Sequence, residues 1–183
     1  KNAKDFHGYR QDIESVGEFV RRYVSDYRRW SSPKYLIGES YGTTRASALA
    51  DHLQSQFGMY LNGVILVSAV LNFQTLDFAE GNDLPYAMFL PTYAATAWYH
   101  KALPEPLQSQ SLADVVQQAR TFAEGEYATA LMKGDALSAA TIADITTKVK
   151  GLTGLSDSYV TATRLRPVIY RYCQELLRTR GLV

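Results

Sequence analysis

Gly38-Glu39-Ser40-Tyr41-Gly42 places a serine midway between glycines, where the apolar run Tyr35-Leu36-Ile37 gives way to a helical pattern. The chemistry that suits this pattern is nucleophilic attack. A serine at the apex of a tight strand-to-helix turn projects its Oγ clear of the chain, and such a turn has no room for side chains two residues to either side. Ser40 is therefore the candidate nucleophile, followed directly by Tyr41 at the start of the next helix. Candidate bases are few, because the chain has only His7, His52 and His100. In G-x-S-x-G hydrolases the acid and then the histidine follow the serine, whereas His7 precedes it. His52 lies along the next helix, roughly 18 Å away at ~1.5 Å per residue. His100, in Ala97-Trp98-Tyr99-His100-Lys101, reads as a polar member of an amphipathic helix. The spacing of histidine and cysteine suggests no metal site, and no cofactor is expected. Cys173 is the single cysteine and reads as a packed thiol that cannot form an intramolecular disulfide.

The elements that must position Ser40 follow from periodicity. Tyr9, Ile13, Val16, Val20, Tyr23 and Tyr27 alternate spacings of four and three, which predicts a helix with one apolar stripe ending near Ser31-Ser32-Pro33. After the elbow, Ala46, Leu49, Ala50, Leu53 and Phe57 keep a helical period up to Gly58, and Gly63-Val64-Ile65-Leu66-Val67-Ser68 has the texture of a buried parallel strand. From Asp77 the chain turns aromatic-rich around Pro85 and Pro91. Ser111-Leu112-Ala113-Asp114 predicts a helix cap, Ser138 opens a helix with Gly151 as its stop, and a last helix runs from Pro167 to Gly181. Arg164, Arg166, Arg171, Arg178 and Arg180 read as a solvated helix face. The fold class expected is α/β. Residues 1–76 are expected to form part of an α/β-hydrolase core containing the elbow, and residues 77–183 an all-helical cap.

The residues around the elbow resemble the serine carboxypeptidase family, whose nucleophile motif also reads Gly-Glu-Ser-Tyr followed by a small residue. The likeness is most specific from Tyr35 to Thr75. Ser68-Ala69-Val70-Leu71-Asn72-Phe73-Gln74-Thr75 is similar to the segment that bacterial members carry after the second strand. The resemblance implies a peptidase that releases C-terminal residues through an acyl-enzyme on Ser40, with the Tyr41 N–H donating to the oxyanion, the Tyr41 side chain lining the substrate pocket and a peptide bearing a free C-terminus as substrate. It places Glu39 at the substrate's carboxylate, which a carboxylic acid can hydrogen-bond only when protonated, implying a preference for acidic pH. Asn82-Asp83-Leu84-Pro85-Tyr86 would line subsites. The family's acid, histidine, second oxyanion donor and second carboxylate have no counterpart in these residues. The chain is thus expected to be a segment of a longer, periplasmic or secreted enzyme and inactive alone. An esterase or acyltransferase on the same scaffold, or a catalytically incompetent interaction module, are the alternatives.

Composition narrows the partners. Net charge is +1, with 19 basic and 18 acidic side chains, so no basic field points to nucleic acid. No apolar stretch approaches the ~20 residues that span a bilayer. Strands taken from the middle of a parallel sheet would leave open edges, and self-association through them is expected.

Overall fold

The computed structural model describes residues 8–182. They fall into two compact units that divide between Phe73 and Gln74. The first unit runs α1 (Tyr9–Asp26), β1 (Tyr35–Glu39), α2 (Tyr41–Phe57) and β2 (Gly63–Val67). β1 and β2 pair in parallel with Ile37 opposite Ile65, and among the described residues they form the whole sheet. α2 packs on both strands and α1 packs on α2.

The buried face of α1 is rotated from the predicted stripe. Ile13, Gly17 and Val24 are buried, while Tyr9, Tyr23 and Tyr27 are each more than half exposed. Gly17 sets this rotation, because a Cβ there would lie 2.5 Å from the His52 ring of α2. The helix stops at Asp26, short of the expected Ser31, and Arg28 follows with φ of 53°. Leu49, Leu53 and Met59 complete a small core with Ile13 and Val24.

The second unit is helical: α3 (Leu84–Tyr99), α4 (Leu112–Phe122), a π-helical turn (Ala123–Tyr127), α5 (Ala128–Lys133), α6 (Ala139–Thr153), α7 (Asp157–Ala162) and α8 (Ile169–Glu175). Serines open three of these helices. The hydroxyls of Ser111, Ser138 and Ser156 accept from the N–H groups of Asp114, Thr141 and Tyr159, satisfying donors that have no partner within the helix. α6 runs through Gly151 and ends at Gly154, which takes the left-handed conformation (φ 71°) usual for a helix stop. The core is tyrosine-rich. Tyr93 and Tyr172 stack at 4.1 Å, and the Tyr172 hydroxyl donates to the Tyr93 carbonyl at 2.7 Å. The extra residue of the π turn delivers Tyr127 to the core, where its hydroxyl donates to the Leu165 carbonyl at 2.5 Å. Burial holds all three phenols well above the ordinary tyrosine range.

The expected fold class is not what the chain adopts. The structure is 63% helical with two parallel strands, and it is not a partial α/β-hydrolase core. The physical reason lies in the sheet. Parallel sheets of that class are covered on both faces, yet Tyr35, Ile37, Ile65 and Val67 are 65, 72, 52 and 43% exposed. The apolar run of β2, read as a buried strand, is open to solvent instead. Cys173 is also exposed rather than packed. The arginines do not form one solvated face. Arg166 grips Asp83, and Arg180 donates to the carbonyls of His100 and Lys101.

Candidate active site

Ser40 sits between the end of β1 and the first residue of α2, with φ of 53° and ψ of −122°. A residue bearing a Cβ seldom takes this conformation, and it persists only where its surroundings hold it. Several contacts do so. The Ser40 N–H donates to the Val67 carbonyl at 3.0 Å, tying the turn to the end of β2. The Ser40 carbonyl accepts from the Thr43 N–H at 2.9 Å and the Thr43 hydroxyl at 2.7 Å. Thr43 Oγ1, fully buried, in turn accepts from the Val70 N–H at 2.8 Å, and the Thr44 hydroxyl donates to the Val70 carbonyl. The first turn of α2 is thereby stitched to the segment after β2.

The steric demand of the turn falls on one glycine. A Cβ on Gly38 would stand 2.0 Å from the Gly42 carbonyl oxygen and 2.8 Å from the Thr43 nitrogen, whereas a Cβ on Gly42 would meet nothing within 4 Å. Gly42 is thus not required by the turn in the way its spacing implies.

The Ser40 hydroxyl does not cap α2 and has no hydrogen-bond partner among the described residues. The Tyr41 N–H, at the start of α2, is likewise without an acceptor among them. A free hydroxyl beside a free helix-terminal donor is what an attacking serine and an oxyanion site need, and the positive end of the helix favours developing negative charge there. Glu39 is the last residue of β1, paired with Val67 and exposed, and its carboxyl meets no hydrogen-bond donor among the described residues.

The histidines lie elsewhere. His52 packs edge-on to Phe57 at 5.4 Å, with its ring against Gly17 of α1. His100 caps the C-terminus of α3 in the second unit, its N–H bonded to the Thr96 carbonyl. His7 lies outside the described residues. No group of three or more metal-ligating side chains occurs among the described residues.

One feature beside the elbow carries no motif. Asp12 of α1 accepts from Arg45 Nε and Nη2 at 2.8 and 2.9 Å and from the Tyr41 hydroxyl at 3.1 Å. The Arg45 guanidinium lies 5.4 Å from the centre of the Tyr41 ring. Arg45 holds the Asp12 carboxyl below the ordinary range, and burial, then Asp12, raises the Tyr41 phenol. The signal was confined to Tyr41 and Arg45 standing one helical turn apart; nothing local announces Asp12, which is 33 residues from Arg45.

Comparison with protein-family models, curated proteins and solved structures returned no match. The candidate site therefore rests on its own geometry.

Proposed function

We propose that this chain carries the nucleophile of a serine-type carboxypeptidase, with Ser40 forming the acyl-enzyme and the Tyr41 N–H receiving the oxyanion. The observation that carries this reading is the backbone of Ser40, held at φ of 53° at a strand-to-helix junction, with its hydroxyl bonded to none of the described residues. An ordinary capping serine would have an extended backbone and a bonded hydroxyl, as Ser111, Ser138 and Ser156 do in the second unit. In this reading Glu39, adjacent to the nucleophile, meets the free carboxylate of the peptide. The general base and its acid are supplied from outside the described residues.

Time-resolved labelling with a fluorophosphonate tests the nucleophile, with Ser40→Ala as control. Without a base the rate should lie roughly 10³-fold or more below that of a complete serine hydrolase, yet depend on Ser40. Labelling no faster than in Ser40→Ala removes the reading. Where turnover is measured, a peptide with a free C-terminus should be cleaved faster than its amide or a simple ester. Equal rates on all three would favour the esterase or acyltransferase alternative and end the role given to Glu39.

The exposed apolar strands favour a second reading, in which the first unit associates with another chain through β1 and β2. A concentration-independent monomer in size-exclusion chromatography with light scattering would count against it.

A further inference from the structure

The first turn of α2 is anchored on two sides. Toward β2, Thr43 and Thr44 tie it to Val70, and the Ser40 N–H bonds the Val67 carbonyl. Toward α1, Asp12 takes hold of the same turn.

The Asp12 contact is more than a link between two helices. Arg45 already spans the carboxylate, with Nε on Oδ2 and Nη2 on Oδ1, and that bidentate pair would be complete without a further donor. The Tyr41 hydroxyl nevertheless adds a second bond to Oδ2. The Asp12 side chain is 16% exposed, so its acceptors are largely withdrawn from water and filled by protein donors. The Arg45 guanidinium also lies against the Tyr41 ring. Tyr41 is 40% exposed, and without these contacts its hydroxyl would turn to solvent and its ring would be free to change rotamer.

Tyr41 is the first residue of α2 and follows Ser40 directly. The two share one peptide unit, whose carbonyl is bonded twice by Thr43 and whose N–H is the donor proposed for the oxyanion. Holding the Tyr41 side chain restrains the far end of that unit. Such a donor is effective only if it is aimed before charge develops, and a displacement of about 1 Å can slow a reaction roughly 10²-fold.

We infer that Asp12 is a positioning residue for the elbow, acting through the Tyr41 hydroxyl to keep the oxyanion-donating peptide in place. The inference rests on the reading of Ser40 as the nucleophile. It is tested by fluorophosphonate labelling over a range of probe concentrations, which yields a saturating rate and a half-saturating concentration. In that reaction Ser40 Oγ bonds phosphorus, fluoride leaves with its electron pair, and the hydroxyl proton passes to solvent. Tyr41→Phe removes one oxygen from a part-exposed ring and should leave the fold intact. It should lower the saturating rate about fivefold, with the half-saturating concentration and the urea midpoint little changed. Asp12→Ala should slow labelling at least as much, and adding Tyr41→Phe to it should slow labelling no further, because the bond is already gone. A purely structural contact would move the urea midpoint and leave the saturating rate alone. A parent rate in Tyr41→Phe, or a double variant slowed by the product of the two single effects, would overturn the inference while leaving Ser40 as the nucleophile. Labelling that does not depend on Ser40 would remove the nucleophile and this role for Asp12 together.

Discussion

At the scale of single residues, the elbow rests on an asymmetry between glycines that the motif presents as equivalent. Gly38 faces the backbone of Gly42 and Thr43, which cannot move aside as a flexible side chain could, while Gly42 faces open space. Gly38→Ala should therefore cost about 3–5 kcal/mol, at the severe end for a single substitution. Gly42→Ala, in the first turn of α2, should fall within about 1 kcal/mol of the parent and on the stabilising side, because alanine is the better helix former. Urea unfolding followed by circular dichroism separates the two, and equal effects would refute the steric account. The position of Ser40 was legible in the sequence because the turn is a local construction of a few consecutive residues. The identity of the critical glycine was not, since it depends on which Cβ vector points back into the chain.

At the scale of elements, α1 and α2 meet through a seam of glycine against histidine and one bidentate ion pair. Asp12 is shielded and Arg45 is 39% exposed, so solvent weakens the pair, and Asp12→Asn should cost about 1 kcal/mol at neutral pH. Because Arg45 depresses the Asp12 carboxyl in the folded chain, this stability is present above the unfolded carboxylate value of about 3.9. It is lost as pH falls through the depressed folded value. The gap between parent and Asp12→Asn should therefore close in acid, and a gap that persists there would mean Asp12 acts by packing alone. The helices themselves are legible from capping serines and 3.6-residue periods. The rotation of α1 is not, because tyrosines supply apolar period on a face that solvent also accepts. Nor is the π turn, whose inserted residue is dictated by where Tyr127 must arrive.

At the scale of the whole molecule, the two units differ in how much apolar surface they remove from water. The second has a contiguous core running from Tyr86 to Leu176, whereas the first has a handful of buried side chains and a sheet of two strands left largely exposed. A two-stranded sheet is marginal by itself and depends on the helix packed against it, here α2. Hydrogen exchange should then show amides of β1 and β2 about 100-fold less protected than those at the centres of α3 and α6, and equal protection would contradict it. The α/β expectation failed at this scale because a run such as Gly63-Val64-Ile65-Leu66-Val67 records that a strand is apolar, not what covers it. The chain also holds one tryptophan in each unit. Trp30 is 45% exposed, and Trp98 packs beside the helical core with its indole N–H on the Gln110 carbonyl. Their emission should differ in colour, and replacing either with phenylalanine would leave a single tryptophan that, excited selectively over the tyrosines, follows the melting of its own unit, an optical separation already written into the polypeptide.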